Sequence, residues 1–498
     1  MDRAEEDFGA NPEETATFEA VDDGGKSQSF ALLLPICLLV LVGSLIVVMS
    51  SYFPREVRGL AGLGVMLSLM AMGMPVALAM IVAGSVGMYG LVGQRALVSA
   101  LENLPFHSVA TWTFSVIPMF VLMGLILWRS GVTEKIFDAA RAWLNWLPGG
   151  LAVATNFAGA GLAAASGSTF GIAFALGHIA VPEMIKAGYD RGLSSGVVIM
   201  AGTLGQLIPP SILLVIYAGI AEISVGPLLI AAVIPGTLTA LAYATMIVAR
   251  ASLNRDLAPR VGTVFTWGQR WRSLSYVWPV PILMVIVIGG IFSGSFTATE
   301  AGAYAAGAAC LIAFAFSGLG AFRQIGRSLY ETVPAVGSIL LLIVGVHLLN
   351  RFFALSGLPL AMSDLIDALG LGRVSFLLVV MVFYLFLGMF MEPLAILLLT
   401  VPIFMPTLEA LDISLMWYGV FAVIVGELAI VTPPVGVLSF LVHKLINREE
   451  VRGDTPAIGL GTVFKGVLWF VVTQVVIVLL IIFFPQIVLW LPELSFAR

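Results

Sequence analysis

Two tandem prolines, Pro209-Pro210 and Pro433-Pro434, interrupt apolar stretches 224 residues apart, and each pair follows a glycine, Gly202 or Gly426, by seven residues. Proline inside a helix removes a backbone N–H and clashes with the preceding turn, so neither stretch can be one straight helix. Sliding the chain by 224 without a gap also aligns Pro182 with Pro406, Ile172 with Ile396, Ile179 with Ile403, Leu204 with Leu428 and Leu214 with Leu438. The chain therefore reads as an internal repeat whose matches include the residues that decide where a helix breaks. Paired interrupted helices in two halves of an apolar chain point to the binding site of a secondary carrier.

The setting is a membrane. Of the 498 residues, 60% are hydrophobic and 11% charged, and the mean hydropathy is +1.05; a soluble domain carries roughly 25% charged residues. Apolar runs near 30–52, 57–73, 75–93, 115–128, 192–224, 226–249, 276–292, 299–317, 335–350, 416–441 and 464–490 give eleven expected crossings, most of them approaching the ~20 residues a span needs. Nine acidic residues fall in the first 28, so residues 1–29 read as a disordered acidic tail rather than a signal peptide. Cys37 and Cys310 stand alone within spans, with no Cys/His spacing for a metal.

Orientation follows from the segment 251–275. With Arg250 at its edge it carries Arg255, Arg260, Arg270 and Arg272 against Asp256, which assigns it to the cytoplasm by the positive-inside rule. Counting outward puts Arg129, Lys135, Arg141, Lys186, Arg323 and Lys444 inside as well. Two runs, 150–182 and 374–406, break that parity if they are full spans. Each carries a polar break, Ser166-Gly167-Ser168-Thr169 and Glu392-Pro393, and each is expected to be a re-entrant hairpin.

The expected fold is thus an all-α polytopic membrane protein: an additional helix at 30–56, a first repeat at 57–250, the basic linker, a second repeat of inverted topology at 276–490, and a tail at 491–498. Val132–Leu147 and Gly357–Gly370 mix charge and apolar residues in the manner of interfacial helices.

Backbone carbonyls freed at membrane depth need protein or a wet cavity to satisfy them. Carbonyls and hydroxyls suit a hard cation, and half-helix N-termini suit a carboxylate. Glu300, Glu392 and Glu427 are acids within apolar segments, a costly placement that marks functional suspects. The plainer readings are a structural kink at Pro-Pro, serines bonded back to their own helix, and acids that are protonated or paired. Duplication in register weighs against the kink. His178 and His347 are read as interior histidines without a role.

Ala165-Ser-Gly-Ser-Thr169, Val181-Pro-Glu-Met184, Gly188-Tyr-Asp190 and Gly202-Thr-Leu-Gly-Gln-Leu-Ile-Pro-Pro-Ser211, with Thr299-Glu-Ala301, Gly388-Met-Phe-Met-Glu-Pro-Leu-Ala-Ile396, Thr400-Val-Pro-Ile-Phe-Met-Pro406 and Thr432-Pro-Pro-Val-Gly436, resemble the large membrane subunit of tripartite ATP-independent periplasmic (TRAP) transporters. The resemblance runs from about 57 to 490 and departs at Ala298, where proline is frequent, and at Glu392, where many relatives have aspartate.

The resemblance implies sodium-coupled uptake of a small organic acid by an elevator motion in the bacterial inner membrane. It implies as partners a small four-helix membrane subunit and a periplasmic substrate-binding protein; no nucleic acid is expected. Sodium is expected at Ser166, Gly167, Ser168, Thr169, Gly202, Thr203 and Pro209 in the first half, and at Glu392, Gly426, Thr432 and Pro433 in the second. The substrate carboxylate is expected at Ser168, Thr169, Pro210, Ser211, Thr299, Glu392, Pro393, Pro434 and Gly436. The competing readings are a stand-alone divalent-anion/sodium symporter, a channel, and a membrane-embedded enzyme; the last finds no HExxH motif and no Cys/His metal set in support.

Overall fold

The structure is a computed structural model that describes residues 26–260, 265–433, 435–452 and 456–496. The expectations for residues 1–25, for part of the basic linker and for Pro434 lie outside them. Among the described residues the chain is helical, without strands.

The repeat is visible as matching helix starts. Hairpin 1 is Gly150–Ser166 followed by Thr169–Lys186, and hairpin 2 is Arg373–Leu387 followed by Pro393–Ala410. Thr169 and Pro393, which begin the second arms, are repeat mates, and both arms have 18 residues. Arg191 and Leu415, which begin the next helices, are mates as well. Broken helix 1 is Arg191–Leu207 plus Ile212–Ile220, bent by 42° at the double proline. Broken helix 2 is Leu415–Ala429 plus Val437–Ile446.

The repeat glycines explain why each broken helix lies close to its own hairpin. A Cβ on Gly202 would sit 2.9 Å from the Thr169 carbonyl oxygen and from the Ala173 side chain. A Cβ on Gly426 would sit 3.3 Å from the Pro393 side chain. Both glycines thus lie against the residue that opens the second arm of the hairpin in their half, which is why the duplicated spacing starts from glycine.

The two halves also carry different ties. In the second half, Tyr384 Oη bonds Thr400 Oγ1 at 2.5 Å and Tyr418 Oη at 3.0 Å, all buried, which joins both arms of hairpin 2 to broken helix 2. Across the halves, Tyr217 Oη donates to the Leu415 carbonyl at 2.6 Å.

A second group of helices packs around Ala321–Ser356, which lies along Val76–Val92. The backbones meet closely there: a Cβ on Gly84 would come within 2.9 Å of the Leu348 carbonyl carbon, and one on Gly345 within 2.8 Å of the Ala77 oxygen. Small residues that let backbones touch are the usual means of helix association where lipid removes the hydrophobic driving force. Arg55–Ala71, Val116–Arg129 and Ala298–Ser317 complete this group. Its outer faces are apolar and exposed, as at Leu311 (71%) and Val333 (72%).

The expected count of eleven crossings is not confirmed. Among the described residues six helical stretches are long and apolar enough to cross, Trp112–Arg129, Val225–Leu253, Trp267–Phe292, Ala298–Ser356, Pro393–Ala410 and Leu460–Phe483, with a seventh if broken helix 1 counts as one span. The stretch Ala298–Ser356 holds two helices, Ala298–Ser317 and Ala321–Ser356, one for each of the expected runs 299–317 and 335–350. Others stop short at glycine or proline, leaving pieces such as Val76–Val92 and Val437–Ile446.

Overpacking a tight backbone contact costs about 1–3 kcal/mol. Gly202→Val is therefore expected to lower the thermal midpoint of the purified protein. Gly307→Ala, where an added Cβ meets nothing within 4 Å, leaves it unchanged or raises it. Equal midpoints for the two variants would contradict the packing described here.

Candidate functional site

Both hairpin tips and broken helix 1 meet at one cavity of about 820 Å³. Hairpin 1 contributes Ser166, Ser168 and Thr169, hairpin 2 contributes Glu392 and Pro393, broken helix 1 contributes Gln206, Ile212 and Leu213, and broken helix 2 contributes Glu427 and Ile430. From there the cavity extends past His178 to the turn around Trp128–Glu134 and to Glu331. It reaches the surface at that end, where Trp128 is 53% exposed and Arg129 pairs with Glu331.

The tip of hairpin 1 is shaped by two local devices. Gly167 adopts φ +58°, a left-handed conformation that glycine reaches without strain; a Cβ there would lie 2.7 Å from the Pro210 carbonyl oxygen, so the tip rests on the Pro-Pro break. Ser168 then caps the second arm by accepting from the Gly171 N–H at 3.2 Å. The neighbouring Ser166 Oγ is buried without a hydrogen-bond partner, and such an orphaned hydroxyl calls for an explanation. A cation taking oxygen ligands would supply one.

At broken helix 1 the backbone is satisfied by a residue that sequence reasoning passed over. Gln206 Oε1 accepts from the Leu213 N–H at 3.2 Å and from Ser211 Oγ at 3.4 Å, while Ser211 Oγ accepts from the Leu214 N–H at 3.3 Å. Gln206 lies inside the quoted motif between Gly202 and Ser211, and its signal was a long polar side chain just before a break. Hairpin 2 opens differently, with Glu392 at the cap position making no capping hydrogen bond.

The electrostatics follow from these starts. Glu134, Glu331, Glu392 and Glu427 line the cavity, whereas no lysine or arginine does among the described lining residues. Positive potential at the inner end comes instead from the N-termini of Thr169–Lys186, Ile212–Ile220 and Pro393–Ala410, each of which has lining residues in its first turn. Glu427 is 4% exposed and accepts from Thr169 Oγ1 at 2.9 Å, a bond from hairpin 1 to the other half of the repeat.

The remaining expected residues sit behind the lining or apart from it. Gly167, Gly202, Pro209, Pro210, Ser211 and Gly426 are buried supports. Thr203 donates to the Met200 carbonyl at 2.7 Å and Thr432 to the Ala429 carbonyl at 2.9 Å. Pro433 is exposed, and Gly436, at φ +52°, packs against Phe464. Thr299 is not in the lining, and Glu300 is exposed, its carboxylate closing a capping box with Thr297. Glu300 thus serves its own helix start rather than this cavity.

The sequence pattern of the family described as "Tripartite ATP-independent periplasmic transporter, DctM component" matches residues 63–487. The chain belongs to this TRAP transporter family. It is 34% identical to the C4-dicarboxylate TRAP transporter large permease protein DctM of Pseudomonas aeruginosa, over 78% of this chain and 88% of that one. It is 30% identical to the sialic acid TRAP transporter permease SiaT of Haemophilus influenzae (86% and 67%), and 27% identical to the ectoine TRAP transporter large permease TeaC of Halomonas elongata (86% and 98%). Among solved structures, the YdaH transporter of Alcanivorax borkumensis matches with a TM-score of 0.56 at 15% identity, covering 85% of this chain and 99% of that one, a likeness of fold alone. The chain is thus a TRAP large permease, a multi-pass inner-membrane transport protein, and the enzyme reading falls away.

Gln206→Leu removes the acceptor for a half-helix N–H, and an orphaned backbone group costs about 1–3 kcal/mol. Amide exchange of Leu213 by mass spectrometry is expected to quicken about tenfold, as about 1.4 kcal/mol requires, while exchange within Leu460–Phe483 stays unchanged. Unaltered exchange at Leu213 would show that Gln206 does not hold the break.

Proposed function

We propose that this TRAP permease carries a small organic acid inward, coupled to sodium, after receiving it from a periplasmic binding protein and together with a small membrane subunit. The observation that carries the proposal is the convergence of three helix N-termini, an orphaned serine hydroxyl and a glutamate at the inner end of one cavity. The N-termini suit a carboxylate. Sodium is the second cargo, with Ser166, Ser168 and Thr169 as oxygen donors on hairpin 1 and Glu392 at hairpin 2; a cation there also offsets the acids that line the cavity. Relatives that carry C4-dicarboxylates, sialic acid and ectoine support an organic acid without selecting one.

The moving body in this proposal is the hairpins with the broken helices, and the fixed body is the group around Ala321–Ser356. The cavity reaches the surface beside Arg129, which charge distribution assigns to the cytoplasm, so this conformation is the inward-open one of an elevator cycle.

The deciding experiment is uptake into proteoliposomes holding this chain and its small partner, with the binding protein outside and with or without an inward sodium gradient. Uptake needing all components and sodium is expected, as is a loss of at least tenfold in Glu392→Gln and Ser168→Ala. Uptake by this chain alone would favour a stand-alone symporter, and sodium-independent equilibration a channel.

The inward-open assignment has its own check. In a background carrying Cys37→Ser and Cys310→Ala, His178→Cys is expected to react with an impermeant thiol reagent in inside-out vesicles and to be protected in right-side-out ones. The reverse pattern would overturn the assignment.

A further inference from the structure

The half-helices Arg191–Leu207 and Leu415–Ala429 pack against each other with repeat mates brought together: Met200 with Ile424, Thr203 with Glu427 and Leu204 with Leu428. Between them is a chamber of about 10 Å³, room for a single occupant about the size of a water. Thr239 and Tyr243 of helix Val233–Leu253 and Gln474 of helix Leu460–Phe483 complete its wall. Its five polar side chains are all buried, with exposures between 0% and 6%.

The hydrogen-bond pattern decides what suits this space. Tyr243 Oη donates to Gln474 Oε1 at 2.6 Å, Thr203 Oγ1 to the Met200 carbonyl at 2.7 Å, and Thr239 Oγ1 to the Pro235 carbonyl at 2.8 Å. Each hydroxyl has committed its one proton, so what remains to it is accepting capacity. Glu427 adds a carboxylate, and no lysine or arginine lines the chamber among the described residues. A buried set of acceptors around an acid without a counter-charge is costly to leave unpaired.

We infer that this chamber is a monovalent-cation site in which Glu427 supplies the charge and the oxygens of Thr203, Tyr243 and Gln474 supply further ligands. It is distinct from the hairpin-tip positions proposed above, none of which lines it; of the residues at which sodium was expected, only Thr203 does. Glu427 lines both this chamber and the large cavity, and its bond from Thr169 connects the chamber to the tip of hairpin 1. An ion at this crossing thereby fixes the carboxylate that holds the hairpin.

The test is the thermal midpoint of the full-length purified chain, titrated with sodium, potassium and choline chlorides at constant ionic strength. Sodium or potassium, but not choline, is expected to stabilise. Thr203→Val, Tyr243→Phe and Gln474→Leu are expected to raise the half-effect concentration at least tenfold, and Glu427→Gln to abolish this component. Tyr243→Phe removes one hydroxyl oxygen and remains informative if Glu427→Gln does not fold. Direct counting with radioactive sodium or with rubidium, as a potassium substitute, is expected to find one ion fewer per chain in the folded variants. Wild-type titration curves and an unchanged ion count in those variants would overturn the inference. The readout uses no substrate, binding protein or gradient, so it stands or falls separately from sodium-driven uptake.

Discussion

A helix interrupted at membrane depth exposes backbone groups that lipid cannot satisfy, and the architecture of this chain is arranged around supplying their partners. At the first break the partners are Gln206 and Ser211, with the hairpin tip at Gly167 resting on the Pro210 carbonyl. Gly202 and Gly426 bring each broken helix against the second arm of a hairpin. Remove the breaks and the reason for the hairpins goes with them, since their tips would have no backbone to meet.

The same constraint sets the electrostatics of the cavity. Basic side chains are absent from its described lining, and the favourable ends of three helices take their place. Those ends are positioned by main-chain geometry, so they cannot swing away as a lysine can, and they need no counter-ion when the cavity is wet. Of the lining acids, Glu331 is paired with Arg129 and Glu427 accepts from Thr169, while Glu392 makes no capping hydrogen bond to its own helix.

Much of this was legible before any coordinates. The 224-residue offset places Thr169 and Pro393, and Arg191 and Leu415, at equivalent helix starts, because glycine and proline act locally and leave their mark on any chain. Which face a residue presents is a tertiary matter, and there the sequence was less informative. Glu300 and Glu427 both read as acids in apolar segments, yet one caps an exposed helix start and the other is buried between the halves. Hydropathy likewise records that a residue is apolar, but not whether lipid or another helix covers it.

The duplication of helices is not a duplication of ties. Tyr384, Thr400 and Tyr418 join hairpin 2 to its broken helix through hydroxyl contacts. Their repeat mates are Ala160, Leu176 and Ser194, of which the first two have no hydroxyl to offer. Separating hairpin 2 from its neighbour therefore breaks polar bonds in a dry interior, while hairpin 1 has no equivalent latch at those positions. Two hairpins that look alike in outline are thus tied by different bonds, hydroxyl to hydroxyl within one half at hairpin 2 and hydroxyl to carboxylate across the halves at hairpin 1, so the halves can share a shape without sharing the contacts that a movement would have to break.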